Sequence, residues 1–121
     1  MWHAQISALI AHHWVIVWDM RGHGESDNPA DPAAYSEALT VKDMAALLHH
    51  CGIDRAVIGG LSLGGYMSLA FHLAHPEMVS ALMLFDTGPA FATPRRGGPR
   101  TGATARPRPR SPRIRGARCE R

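Results

Sequence analysis

Apolar positions change their spacing repeatedly along the first 92 residues, and each change marks a new element. Trp2, Ile6, Leu9 and Ile10 recur at helical spacing, which predicts an amphipathic helix over Trp2–His13 with one buried face. Trp14-Val15-Ile16-Val17-Trp18 is instead an unbroken β-branched and aromatic run, the pattern of a parallel strand covered on both faces. Gly22, Gly24, Asn28-Pro29 and Asp31-Pro32 then take the chain out of the sheet, because these residues favour turns. Thr40 with Asp43 three residues on reads as a capping pair for a helix whose apolar face is Met44, Leu47, Leu48 and Cys51 and which stops at Gly52. A second strand follows at Ala56-Val57-Ile58-Gly59-Gly60. A helix from about Gly64 to Ala74 is halted by His75-Pro76, since proline cannot continue the ladder. Val79 to Phe85 is a third apolar strand.

Strands and helices alternating in this way predict an α/β fold, with three parallel strands joined by right-handed crossovers and flanked by helices. The chain of 121 residues is long enough for one core. Residues 1–92 are predicted to form that domain and residues 93–121 to be a disordered tail. From Thr93 onward there are five prolines, four glycines and only Ile114 as a large apolar residue, which cannot build a core. Charge divides at the same place. Up to Ala92 three basic residues face nine acidic ones, a net −6, whereas the tail carries ten arginines and one glutamate, a net +9. The isoelectric point near 9.4 therefore describes the tail. Cys51 and Cys119 lie one in each part, which is neither a disulfide framework nor a metal-binding spacing. No apolar run approaches the roughly 20 residues of a membrane span and no leader pattern opens the chain, so the expectation is a soluble, cytoplasmic protein.

The chemistry concentrates at Gly60-Leu61-Ser62-Leu63-Gly64, a G-x-S-x-G sequence between a predicted strand and a predicted helix. A turn that tight leaves no room for side chains at Gly60 and Gly64 and holds Ser62 in a strained conformation, with its hydroxyl lifted above the sheet edge. Serine becomes a nucleophile only beside a base oriented by an acid, and the oxyanion it creates needs donors. The backbone N–H of Leu63, at the start of the following helix, is one such donor. Gly65-Tyr66 stands where a phosphate-binding loop needs Lys and Ser/Thr, and Ser62 stands where a dinucleotide fingerprint needs its second glycine, so neither nucleotide motif is present.

Asp19-Met20-Arg21-Gly22-His23-Gly24-Glu25-Ser26 followed by Gly60-Leu61-Ser62-Leu63-Gly64-Gly65 resembles the α/β-hydrolase superfamily over residues 1 to about 92. The resemblance implies a partial hydrolase core that acylates Ser62 and cleaves esters, lactones or related C–C bonds in a small molecule, with no cofactor and no metal. It also implies that the His-Gly oxyanion loop, the usual acid and the catalytic histidine fall outside this sequence, which points to an inactive fragment. Within the chain, His23 and Asp86 are the residues nearest in position to a base and an acid. Turn hydrogen bonding accounts more simply for His23, and capping of a loop for Asp86. The alternative is a non-catalytic remnant or binding module that uses its arginine tail on nucleic acid or another anionic surface. Arg, Pro, Gly and Ala are encoded by GC-rich codons, and their onset where the family pattern stops favours an out-of-frame origin for the tail.

Overall fold

The computed structural model describes residues 1–87 and 118–120, the last three by their backbone. Helix α1 (His3–Leu9) has no side-chain cap and no buried residue. A helix of two turns has little stability of its own; Trp2 ties it down, its ring centroid 5.9 Å from that of Phe85. The helix is shorter than Trp2–His13, because His12 and His13 both turn their N–H groups onto Leu9 O. Its expected buried face reduces to the half-buried Trp2 and Ile6.

Strand β1 (Val15–Val17) is half-buried throughout. Helix α2 (Glu37–His50) begins at Ser36, whose hydroxyl accepts from Leu39 N at 3.2 Å. The capping pair expected at Thr40 and Asp43 is therefore corrected: Thr40 lies one turn inside the helix and donates its hydroxyl to Ser36 O. Asp43 is engaged elsewhere. At the other end Gly52 adopts φ +67, and Ile53 N bonds Leu48 O at 2.9 Å, a glycine-terminated cap of the kind the sequence predicts.

Strands β2 (Ala56–Leu61) and β3 (Val79–Phe85) flank helix α3 (Leu63–Ala74). They pair in parallel, with Ile58 opposite Leu82 and Leu61 opposite Phe85. Val41, Met44 and Leu48 of α2 meet Met67 and Phe71 of α3 together with Met78 and Val79, and Ile16, Trp18 and Met20 pack against this cluster from the β1 side. Phe71 is wholly buried; truncating such a residue to alanine costs about 3–5 kcal/mol.

Two expectations about the sheet need correction. Among the described residues only β2 and β3 form a parallel ladder; β1 pairs antiparallel with β4 (Arg118–Glu120), Ile16 opposite Cys119. An apolar run identifies a strand but carries no information about its hydrogen-bond partner, and successive strands are neighbours only about two-thirds of the time. β1 joins the core through its side chains instead. Burial also alternates along β2, and β3 is exposed at most positions. One face lies under α3, and the other has no cover among the described residues beyond Trp2 at Phe85. Of the predicted disordered tail, residues 93–117 and 121 lie outside the described residues, while 118–120 form β4.

Candidate active site

The turn after β2 places Ser62 at φ +50 and ψ −112, a region that side-chain-bearing residues rarely occupy and that persists only where the surroundings enforce it. The enforcement is visible on both sides. Ser62 N donates to Phe85 O at 2.9 Å, one rung beyond the Leu61–Phe85 pair, and Ser62 O accepts from Tyr66 N at 3.0 Å as the first turn of α3 closes. The residue is thus the last rung of the ladder and the N-cap of α3 at once. It is exposed, as are Leu61 and Leu63 on either side. Leu63 opens α3, so its N–H belongs to the first turn, where no intrahelical acceptor exists.

Glycines allow α3 to lie this close to β2, although the pair is not the expected one. A Cβ on Gly60 would sit 2.4 Å from Gly64 C and 2.7 Å from Gly64 Cα, so the backbone of Gly64 fills the place of a side chain. A Cβ on Gly64 itself would meet nothing within 4 Å, which corrects the expectation of a collision there. Gly65 is the second tight position: its Cβ would fall 2.7 Å from Thr87 Cγ2 and 3.0 Å from Gly60 O. The turn at Ser62 directs the side-chain position of Gly65 toward the sheet end and that of Gly64 away from it. The extra glycine in Gly64-Gly65 was the available sequence signal.

Asp86 follows β3 directly, next to the carbonyl that receives Ser62 N, and it too has a left-handed backbone, φ +45. The two strained non-glycine residues of the described chain therefore sit at adjacent strand ends. His23 is exposed in the loop after β1, its Nδ1 3.2 Å from Arg21 O. Among the described residues no hydrogen bond joins Ser62 to His23, Asp86 or any other histidine or acid.

The loop bearing His23 is held by residues singled out only as part of a motif. Arg21 Nε and Nη2 donate to the two carboxylate oxygens of Asp43 at 2.8 and 2.7 Å, and Nη1 donates to Ala34 O at 2.7 Å. The pair is largely shielded, with side-chain exposures of 10% and 14%, and the Asp43 hydrogen bonds push the Arg21 guanidinium further above its usual range. Asp19 accepts from Glu25 N with its carboxylate, and its carbonyl accepts from Ser26 Oγ at 2.6 Å. Behind the elbow, Tyr66 donates its hydroxyl to Glu37 at the start of α2, which raises the phenol above its usual range. No group of three or more metal-ligating side chains is clustered among the described residues, and no helix there is long and apolar enough to cross a membrane.

Comparison with known proteins bears on the fold of the chain. The profile of the α/β hydrolase fold matches residues 1–97. RutD of Azorhizobium caulinodans, provisionally named a carbamate hydrolase, is 36% identical over 85 residues, covering 70% of this chain and 31% of its own length. The 3-oxoadipate enol-lactonase 2 of Acinetobacter baylyi is 33% identical over 87 residues, or 72% and 32% of the two chains. Among solved structures, Est816, described as an N-acyl homoserine lactone degrading enzyme, superposes with a TM-score of 0.54 at 38% identity over 58% of this chain and 26% of its own. The chain spans about a third of the length of these relatives.

Proposed function

This chain belongs to the α/β-hydrolase fold family, and from that premise we propose that it carries the nucleophile elbow of a serine hydrolase, with Ser62 as the attacking residue. The observation that carries the reading is the backbone of Ser62, left-handed and exposed between a strand and a helix. In this reading Ser62 Oγ attacks a carbonyl carbon while a base takes its proton. The oxyanion is met by Leu63 N–H, and water releases the acyl group after the leaving group departs. Carbamates, enol-lactones and acyl-lactones in the names of the relatives all present such a carbon, so the substrate class is a small ester- or lactone-like carbonyl compound. His23 and Asp86 are the residues of this chain to be tested as base and acid, against the simpler readings of turn hydrogen bonding, which the His23–Arg21 O contact favours, and of loop capping.

A fluorophosphonate probe on the purified chain tests the proposal. Labelling that disappears in Ser62→Ala supports the nucleophile, and its loss in a folded His23→Ala variant supports the base. A folded chain that stays unlabelled overturns catalysis by this chain and favours the non-catalytic module.

A further inference from the structure

Ser62 is held from the strand side by its N–H on Phe85 O, and a strained φ of +50 needs holding from the helix side as well. There its carbonyl accepts from Tyr66 N at 3.0 Å. The first turn of a helix lacks part of its hydrogen bonding and frays readily, so this contact is only as firm as the placement of Tyr66. Tyr66 is half-buried, and its hydroxyl donates to the carboxylate of Glu37, the first residue of α2, across 29 positions of the chain.

The buried contacts between the two helices lie further along them, Val41, Met44 and Leu48 in α2 against Met67 and Phe71 in α3, with the Tyr66 ring packed on that cluster. Both helices therefore begin beyond the buried core, and the Tyr66–Glu37 bond ties them together at that end. A hydrogen bond onto an ionised acceptor is stronger than one between neutral groups, which suits it to restraining a turn that would otherwise open.

We propose that Tyr66 is a positioning residue for the elbow: its hydroxyl bond to Glu37 fixes the first turn of α3, and with it the Leu63 N–H and the backbone of Ser62, for attack on a carbonyl carbon. The proposal rests on Ser62 being the nucleophile. Tyr66 and Glu37 act through Ser62 O and the helix, without touching the reacting atoms.

Amide hydrogen exchange and the rate of fluorophosphonate labelling, both on the full chain, test it together. Tyr66→Phe keeps the ring and its packing and removes the bond. It is expected to speed exchange of the amides at positions 66 and 67 by about three- to tenfold, the worth of one hydrogen bond, and to leave those at positions 71 to 74 unchanged. The maximal labelling rate is expected to fall by a similar factor at an unchanged half-saturating probe concentration. Glu37→Ala is expected to match it, and the double variant to be no worse than either single. Glu37→Gln, which keeps an acceptor without the charge, is expected to recover most of the loss. A folded Tyr66→Phe that exchanges like wild type at positions 66 and 67 overturns the proposal, as does one that exchanges faster along the whole of α3, which makes the bond a general support of the fold. A raised half-saturating concentration at an unchanged maximal rate assigns Tyr66 to probe binding and overturns it too, as do additive losses in the double variant. If Tyr66→Phe does not fold, Glu37→Ala, on the exposed start of α2, decides by the same readings. An unlabelled wild type overturns the nucleophile reading, while exchange at positions 66 and 67 still upholds or overturns the tie between the helices, so the two failures are told apart.

Discussion

Ser62 donates its backbone N–H to Phe85 O at 2.9 Å, so the exposed hydroxyl of the elbow is anchored by the same ladder that joins β2 to β3. The strain at Ser62 and the stability of the sheet end are therefore coupled, and substitutions nearby separate what each glycine contributes.

Gly60→Ala is expected to destabilise the fold by about 3 kcal/mol, because its Cβ meets backbone at 2.4 Å and backbone cannot step aside. Gly64→Ala meets nothing and is expected to be neutral or to stabilise by up to about 1 kcal/mol through helix propensity. Gly65→Ala lies between them, and Thr87→Ser, which removes the offending methyl, is expected to recover part of its loss. Urea denaturation of the three alanine variants and the double variant checks the order.

Ser62→Gly relieves a conformation costing on the order of 1–3 kcal/mol, part of which is returned as glycine entropy in the unfolded chain. The variant is expected to be about 1 kcal/mol more stable than wild type and to have lost all reaction with a fluorophosphonate. Thermal melts alongside labelling test both halves; a destabilised variant contradicts the strain.

Arg21→Met leaves the Asp43 carboxylate and Ala34 O without their donors and is expected to cost about 3 kcal/mol. Lysine cannot reproduce the fork, so Arg21→Lys is expected to recover less than half of that loss. The Asp43 hydrogen bonds raise the guanidinium above its ordinary value, so its contribution is complete below the unfolded value and would fade only at more alkaline pH. A loss of this pair between pH 6 and 9 would contradict the assignment. Equilibrium unfolding across that range is the measurement.

Tyr66 is raised by its hydrogen bond to Glu37, so the folded state holds the phenolic proton more tightly than the unfolded chain. The resulting stabilisation is complete below the ordinary tyrosine value near 10.0 and is lost as pH rises through the folded one. Absorbance at about 295 nm is expected to show Tyr66 ionising above 10.0 and moving down in Glu37→Gln. Tyr66→Phe identifies which of the two tyrosines is being read.

The order of elements and the position of the elbow were legible in the pattern of residues. Periodicity separates α2 and α3 from the strands, Gly52 and His75-Pro76 stop the helices where they do, and Gly60-Leu61-Ser62-Leu63-Gly64 lies at the strand-to-helix turn. These are local properties, set by backbone sterics and by which residues are apolar. Tertiary structure alone decided that Ser36 rather than Thr40 caps α2, that Gly65 rather than Gly64 is the tight glycine, that Arg21 grips Asp43, and that β1 pairs with β4 instead of the parallel ladder. Each depends on which atoms meet across tens of residues. Apolar patterning drives burial without direction, whereas a hydrogen bond or a Cβ collision is settled by the placement of its partner to within a few tenths of an ångström.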